Sequence, residues 1–134
     1  MNYAFVPRHS FLAPLLTVLL LVTPANAEDE LSGAEEYRKS CASCHGVYGR
    51  GDGPQAGSLS VTPTDLTVIA RNNSGIFPER KVLETIDGRW FVFTHGDRDM
   101  PVWGERYSSD MGGDEQAVRA RVLKLVRYIE SIQK

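Results

Sequence analysis

Two cysteines and a histidine lie within five consecutive residues, and they form the most chemically specific pattern in the sequence. Cys41 and Cys44 are the only cysteines in the chain, and His45 directly follows the second one. In a C-x-x-C-H pattern, one helical turn presents two thiols to the vinyl groups of a haem, and the next imidazole reaches the iron. The pattern therefore predicts a haem c attached through Cys41 and Cys44, with His45 as the proximal iron ligand.

Three other kinds of site could use the same residues. A structural disulfide or a redox-active pair of the thioredoxin type would need the cysteines, but neither explains His45. A thioredoxin-like site also requires alternating strands and helices, whereas the sequence after His45 is rich in loops. A zinc site could add His95 as a fourth ligand, although the adjacency of Cys44 and His45 makes a tetrahedral arrangement awkward. Haem attachment is the favoured interpretation.

A low-spin haem needs a sixth iron ligand, for which the sequence offers Met100, Met111 and His95. Pro101 favours an extended backbone at Met100, as in a loop that crosses a haem face. Met111 instead lies beside two glycines near the start of a helix. The residues favour Met100, and His95 remains an alternative whose imidazole could simply hydrogen-bond the backbone or a haem propionate.

Helices are predicted around this motif, with long loops between them. The capping box from Ser32 to Glu35 predicts a helix that starts there and runs to about Cys41. Six glycines and prolines between Gly46 and Gly57 predict a loop. A second helix of about ten residues is expected from Pro78 to Gly88.

The last part of the chain contains the clearest helical pattern. Residues 89–113 are predicted to be mostly irregular, with a possible short strand from Trp90 to Thr94. After them, apolar residues recur at spacings of three and four, which places Val118, Val122, Leu125, Ile129 and Ile132 on one stripe of a helix. The basic residues off this stripe are Arg119, Arg121, Lys124 and Arg127, and a solvated helix face explains them better than a docking surface.

The amino terminus has the features of an export signal. Arg8 precedes an apolar run from Phe11 to Val22, and Ala25 and Ala27 form an A-x-A cleavage pattern. The run is too short for a membrane-spanning helix, which needs about 20 residues. We therefore expect residues 1–27 to be a signal peptide and residues 28–134 to be one periplasmic domain that does not span the membrane.

The net charge argues against one class of function, and the small predicted core indicates that the domain holds a bound group. The formal net charge of the whole chain is −2, and loss of Arg8 with the leader would make it more negative, which argues against nucleic-acid binding. Three helices joined by long loops bury little apolar surface in a chain of this length. A bound group is therefore expected to fill the centre.

Several stretches between residues 31 and 134 together resemble the class I c-type cytochromes of bacteria. In this family the first helix crosses the last one through a small residue and an aromatic residue, and Gly33 and Tyr37 resemble these two. Leu125 and Tyr128 look like their partners on the last helix. In addition to the C-x-x-C-H motif, the stretches that match in order are Gly51-Asp52-Gly53-Pro54, Pro63-Thr64-Asp65-Leu66-Thr67, His95-Gly96 and Met100-Pro101-Val102-Trp103-Gly104.

This resemblance implies an all-α class I cytochrome c fold wrapped around one covalently bound haem. It places His45 and Met100 on opposite faces of the iron, and it predicts that a proline carbonyl orients His45, with Pro63 preferred to Pro54. Four further residues are candidates for haem packing or propionate contacts, although aromatic residues in such places more often belong to the plain core: Trp90, Trp103, Arg89 and Arg98.

The function implied is electron transfer without catalysis. Ligation by both His45 and Met100 would leave no iron position for a substrate. The main expectation is a soluble mono-haem carrier between redox-partner proteins, and the alternative is a haem subunit of a periplasmic oxidoreductase complex. An enzyme or gas sensor with five-coordinate iron is disfavoured by the presence of Met100. The protein is expected to be a monomer or a subunit of a redox complex.

Overall fold

The regular structure is helical throughout the part of the chain that is described. The computed structural model describes Met1, residues 25–90 and residues 99–134, with residues 25–31 described by their backbone only. Across these residues there is no strand, and the helices are α1 (Ala25–Ser40), α2 (Ala42–His45), α3 (Glu79–Asp87), α4 (Trp103–Asp110) and α5 (Glu115–Ser131). Short 3-10 turns occur at Ala56–Ser58, Leu66–Val68 and Arg71–Asn73. The all-α prediction is confirmed.

The core is organised around the crossing of α1 and α5. The Tyr37 and Tyr128 rings lie 5.0 Å apart between their centroids, and Leu125 is fully buried beside them. A side chain at Gly33 would collide with the Lys124 carbonyl oxygen and lie 3.0 Å from the Tyr128 Cβ. Only glycine allows the two backbones to approach this closely. The predicted crossing of the first and last helices is confirmed.

The two helices with clear sequence signals lie close to where they were predicted. Helix α3 begins one residue after Pro78, and Gly88 ends it with a left-handed φ of 72°. At the start of α5, the Asp114 side chain accepts hydrogen bonds from the amides of residues 116 and 117. The predicted apolar stripe of α5 is buried as far as Ile129, whereas Ile132 follows the end of the helix and is half-buried.

The predicted start of the first helix at Ser32 is wrong. Helix α1 already runs from Ala25, so the capping-box residues lie inside it. The preceding alanines, glutamates and leucine are good helix formers, and acidic residues near a helix amino terminus interact favourably with its dipole. These preferences extend the helix upstream of the Ser32 signal.

The prediction that residues 89–113 are mostly irregular did not include one helix that the structure contains, because Trp103–Asp110 forms α4. Two aromatic residues one turn apart hold this helix in place: the Trp103 and Tyr107 rings lie 5.6 Å apart, and Tyr107 is fully buried. A helix of two turns with two core aromatics is too short to display a clear periodicity. Tertiary packing rather than local pattern therefore specifies α4.

Some predictions lie outside the described residues. These are the signal-peptide features between residues 2 and 24, most of the predicted strand, and both His95 and Arg98. The predicted cleavage after Ala27 lies within α1 and stays a prediction. Among the helices that are described, none has the length and apolar character needed to cross a membrane.

Candidate functional site

The C-x-x-C-H residues form a tight turn at the end of α1. The Cys41 amide donates to the Tyr37 carbonyl at 2.8 Å, and the His45 amide donates to the Cys41 carbonyl at 2.9 Å. Cys41 is buried and Cys44 is half-buried, and both line the same cavity. The single turn of α2 therefore brings two sulfur atoms and one imidazole to the same cavity wall.

His45 is oriented by a backbone carbonyl. Its Nδ1 lies 3.0 Å from the carbonyl oxygen of Thr64. Because a carbonyl can only accept, Nδ1 carries the proton and Nε2 keeps the lone pair that a metal needs. Burial lowers the pKa of His45, although the hydrogen bond to Thr64 opposes this shift. The lowered pKa favours the neutral imidazole, which is the form that can bind a metal.

The expectation that a proline carbonyl orients His45 is wrong by one residue. The Pro63 carbonyl oxygen faces the α-carbon of Gly51 so closely that any Cβ there would collide with it. Gly51 has a left-handed φ of 78°, and its amide donates to the His45 carbonyl at 2.8 Å. Since Pro63 packs against this glycine turn, the next carbonyl along the chain, that of Thr64, reaches the imidazole.

Two adjoining cavities, of about 300 Å³ and about 420 Å³, meet at the motif. Both are lined by Cys41, His45, Thr64 and Met100. The first continues along residues 59–63, Asp99, Pro101 and Trp103. The second continues between α3 and α5, where its apolar wall consists of Leu66, Ile69, Val82, Ile86 and Ile129. Each volume lies in the range of small-molecule and cofactor sites.

The lining of these cavities fits a haem. Mostly apolar walls suit a porphyrin, two cysteines can form thioethers, and an imidazole and a methionine sulfur are an established ligand pair of haem iron. The structure places all four predicted site residues, Cys41, Cys44, His45 and Met100, around the same space. Iron ligation and the thioether bonds themselves stay predictions.

The competing uses of the cysteines fit less well. Burial raises the pKa of the Cys41 thiol to about 12, whereas a reactive redox cysteine has a lowered pKa. Cys41 and Cys44 are not joined by a disulfide. In the part of the chain that is described, no three or more His, Cys, Asp or Glu side chains form a group that could hold a metal ion, and the zinc site that adds His95 lies outside the described residues.

The remaining candidates have mixed outcomes. Trp103 lines the first cavity, as a haem-packing residue should. Trp90 is 79% exposed and lines neither cavity. Arg89 also lines neither cavity, and it pairs with Asp87 and Glu115 at 2.8 Å each. Met111 packs partly buried against the core and is not in either lining.

A polar cluster beside the cavity has no counterpart in the sequence predictions. The Glu36 carboxylate accepts hydrogen bonds from Ser40 at 2.8 Å, Tyr107 at 2.9 Å and Arg121 at 3.0 Å. The Arg121 guanidinium also lies 4.1 Å from the centroid of the Tyr107 ring. Arg121 was expected on a solvated face. That prediction is wrong, because its guanidinium pairs with Glu36 of α1 and its side chain is only 27% exposed. Only the i, i+4 pair of Glu36 and Ser40 could have been read from the sequence.

One comparison with known proteins gives a match. The profile of the family described as "Cytochrome C oxidase, cbb3-type, subunit III" matches residues 28–129. Comparison with curated proteins gives no match, and neither does comparison with solved structures. The matched range includes the whole motif, both cavities and the segment that carries Met100.

Proposed function

This chain belongs to the cytochrome c oxidase, cbb3-type, subunit III family, and we propose that it carries single electrons through one haem c. Membership of a cytochrome family implies haem-based electron transfer. The observation that carries the finer proposal is the convergence of Cys41, Cys44, His45 and Met100 on one pair of adjoining cavities.

Each of these residues has a separate role in the proposal. Cys41 and Cys44 would hold the haem by thioether bonds, and His45 would bind its iron through Nε2 while Thr64 keeps the imidazole in place. Met100 would bind the iron as the sixth ligand. When bound, the haem supplies an iron that gains and loses one electron.

Ligation by two protein side chains favours electron transfer over catalysis. If His45 and Met100 both bound the iron, no substrate could bind it directly, and electrons would pass from the haem to a partner protein. A thioether ligand also raises the reduction potential of haem iron. The chain is therefore proposed to carry electrons and to perform no reaction of its own.

A second candidate is a haem subunit of an oxidase, and the name of the matching family favours it. In that case the protein would pass electrons to a catalytic partner within one complex rather than diffuse between partners. An affinity-tagged copy expressed at its native level separates the two candidates. A subunit would co-purify with oxidase activity in a fixed ratio, whereas a free carrier would elute alone.

We also propose that the protein works in the periplasm, because the sequence from Arg8 to Ala27 has the features of an export signal. Haem c attachment outside the inner membrane would be consistent with this location. Amino-terminal sequencing of the exported protein tests the proposal. A first residue of Glu28 supports cleavage after Ala27, and retention of residues 1–27 would contradict it.

Covalent attachment is tested by haem staining after denaturing electrophoresis. The unsubstituted protein should keep one haem per chain, because thioether bonds survive denaturation. The double variant Cys41→Ala, Cys44→Ala should lose the stain. Met100→Ala serves as the control, since it removes an iron ligand and leaves both thioethers. If the unsubstituted protein shows no haem stain after expression in a host that attaches haem c, the proposal is refuted.

A further inference from the structure

The short segment that carries Met100 is anchored on its carboxyl-terminal side by α4. Residues 100–102 lead directly into this helix, and the Arg106 amide donates to the Val102 carbonyl at 3.3 Å. Trp103, the first residue of α4, lies in the wall of the first cavity. This anchor limits movement of Met100 on one side only.

Asp99 provides an anchor on the other side. Its carboxylate accepts a hydrogen bond from the Ser60 hydroxyl at 2.5 Å and another from the Val61 amide at 3.0 Å. Hydrogen bonds to a carboxylate are charge-assisted, so they are stronger than hydrogen bonds between neutral groups. Ser60, Val61 and Asp99 all line the first cavity together with His45 and Met100.

Ser60 and Val61 lie 39 and 38 residues before Asp99 in the sequence, yet all three residues line the first cavity. Residues 59–64 run past the motif to Thr64, which holds His45. The contact between Asp99 and Ser60 therefore links the chain segment that orients the proposed proximal ligand to the segment that carries the proposed distal ligand.

We propose that Asp99 is a positioning residue that, by binding Ser60 and Val61, holds Met100 in place as the sixth ligand of the haem iron. This inference rests on the proposed function. Tying the segment down on both sides of Met100 reduces the entropy that the methionine loses when it binds the iron. An intact Asp99 contact should thus make Met100 harder to displace.

Imidazole binding to the oxidised holo-protein measures how easily Met100 is displaced. Ser60→Ala and Asp99→Ala should each tighten apparent imidazole binding by about twofold to tenfold, as expected for the loss of one or two hydrogen bonds. The double variant should behave like Asp99→Ala alone, because both substitutions break the same contact. Ser58→Ala, an exposed serine in the same loop, is the matched control and should leave the affinity unchanged.

The spectrum and the fold are recorded on the same samples. A far-red absorption band in the unsubstituted protein reports methionine ligation, and circular dichroism reports whether each variant is folded. If the band is present and imidazole binds Ser60→Ala and Asp99→Ala no more tightly than the unsubstituted protein, the role of Asp99 is refuted while the proposed function stands. If haem is bound but the band is absent from the unsubstituted protein, Met100 is not the ligand, and the role of Asp99 fails together with the proposed ligation by Met100.

Discussion

At the level of single residues, the glycine-rich loop after the motif determines how His45 is oriented. The Nδ1 of His45 lies 3.0 Å from the Thr64 carbonyl oxygen, and Pro63, one residue earlier, packs against Gly51. Backbone direction in such a loop depends on left-handed residues such as Gly51. The motif therefore identified His45 from the sequence, but it did not reveal which carbonyl faces the imidazole.

Replacement of Gly51 by alanine tests this backbone arrangement. The new Cβ would meet the Pro63 carbonyl, and the left-handed φ of 78° is unfavourable for alanine. We expect Gly51→Ala to lower the free energy of unfolding by about 1–3 kcal/mol, measured by denaturant titration of the holo-protein. The reduction potential should also shift, because displacement of Thr64 loosens His45.

Gly57→Ala is the matched control for this prediction. Gly57 lies in the same loop, a Cβ there would meet nothing within 4 Å, and its φ is not left-handed. Its free energy of unfolding should change by less than about 0.5 kcal/mol. Equal stability of the Gly51 and Gly57 variants would argue against the proposed contact between Gly51 and Pro63.

At the level of elements, helices with their own periodicity were predictable and α4 was not. The apolar stripe of α5 and the proline and glycine at the ends of α3 were sufficient signals. Helix α4 depends instead on the burial of Tyr107 against distant parts of the chain. The same residue joins Glu36 of α1 and Arg121 of α5, so the cluster at this junction could not be read from any one segment.

The charge of Glu36 should contribute to stability in a pH-dependent way. Burial acts to raise its pKa, but hydrogen bonds from Arg121, Ser40 and Tyr107 outweigh burial and hold the pKa below the ordinary value of 4.5. Because the folded-state pKa is the lower one, the stabilisation is complete above about pH 4.5 and is lost as the pH falls through the folded-state pKa.

Glu36→Gln should therefore lower the free energy of unfolding by about 1–2 kcal/mol at pH 7, since the carboxylate remains partly solvated. The difference from the unsubstituted protein should shrink as the pH falls below about 4.5. Chemical denaturation across this pH range measures it, with Glu35→Gln, an exposed neighbour on the same helix, as the control. A pH-independent difference would show that the charge of Glu36 is not responsible.

At the level of the whole molecule, the chain builds its helical core beside a large space instead of filling it. Helices α1, α3 and α5 bury their apolar residues against one another, yet two adjoining cavities remain at the motif. The sequence predicted a bound group at the centre because its helices were too few to fill the domain. The identity of the electron donor and acceptor depends on surfaces of other proteins and was not predictable from this chain.

The visible absorption spectrum of the mature protein, recorded oxidised and then reduced, tests the central claim most directly. A haem held by His45 and Met100 should give sharp α and β bands on reduction and a weak far-red band in the oxidised form. The far-red band should vanish in Met100→Ala. Absence of haem absorbance would contradict the account as a whole, and a high-spin spectrum would contradict the closed coordination on which the electron-carrier function depends.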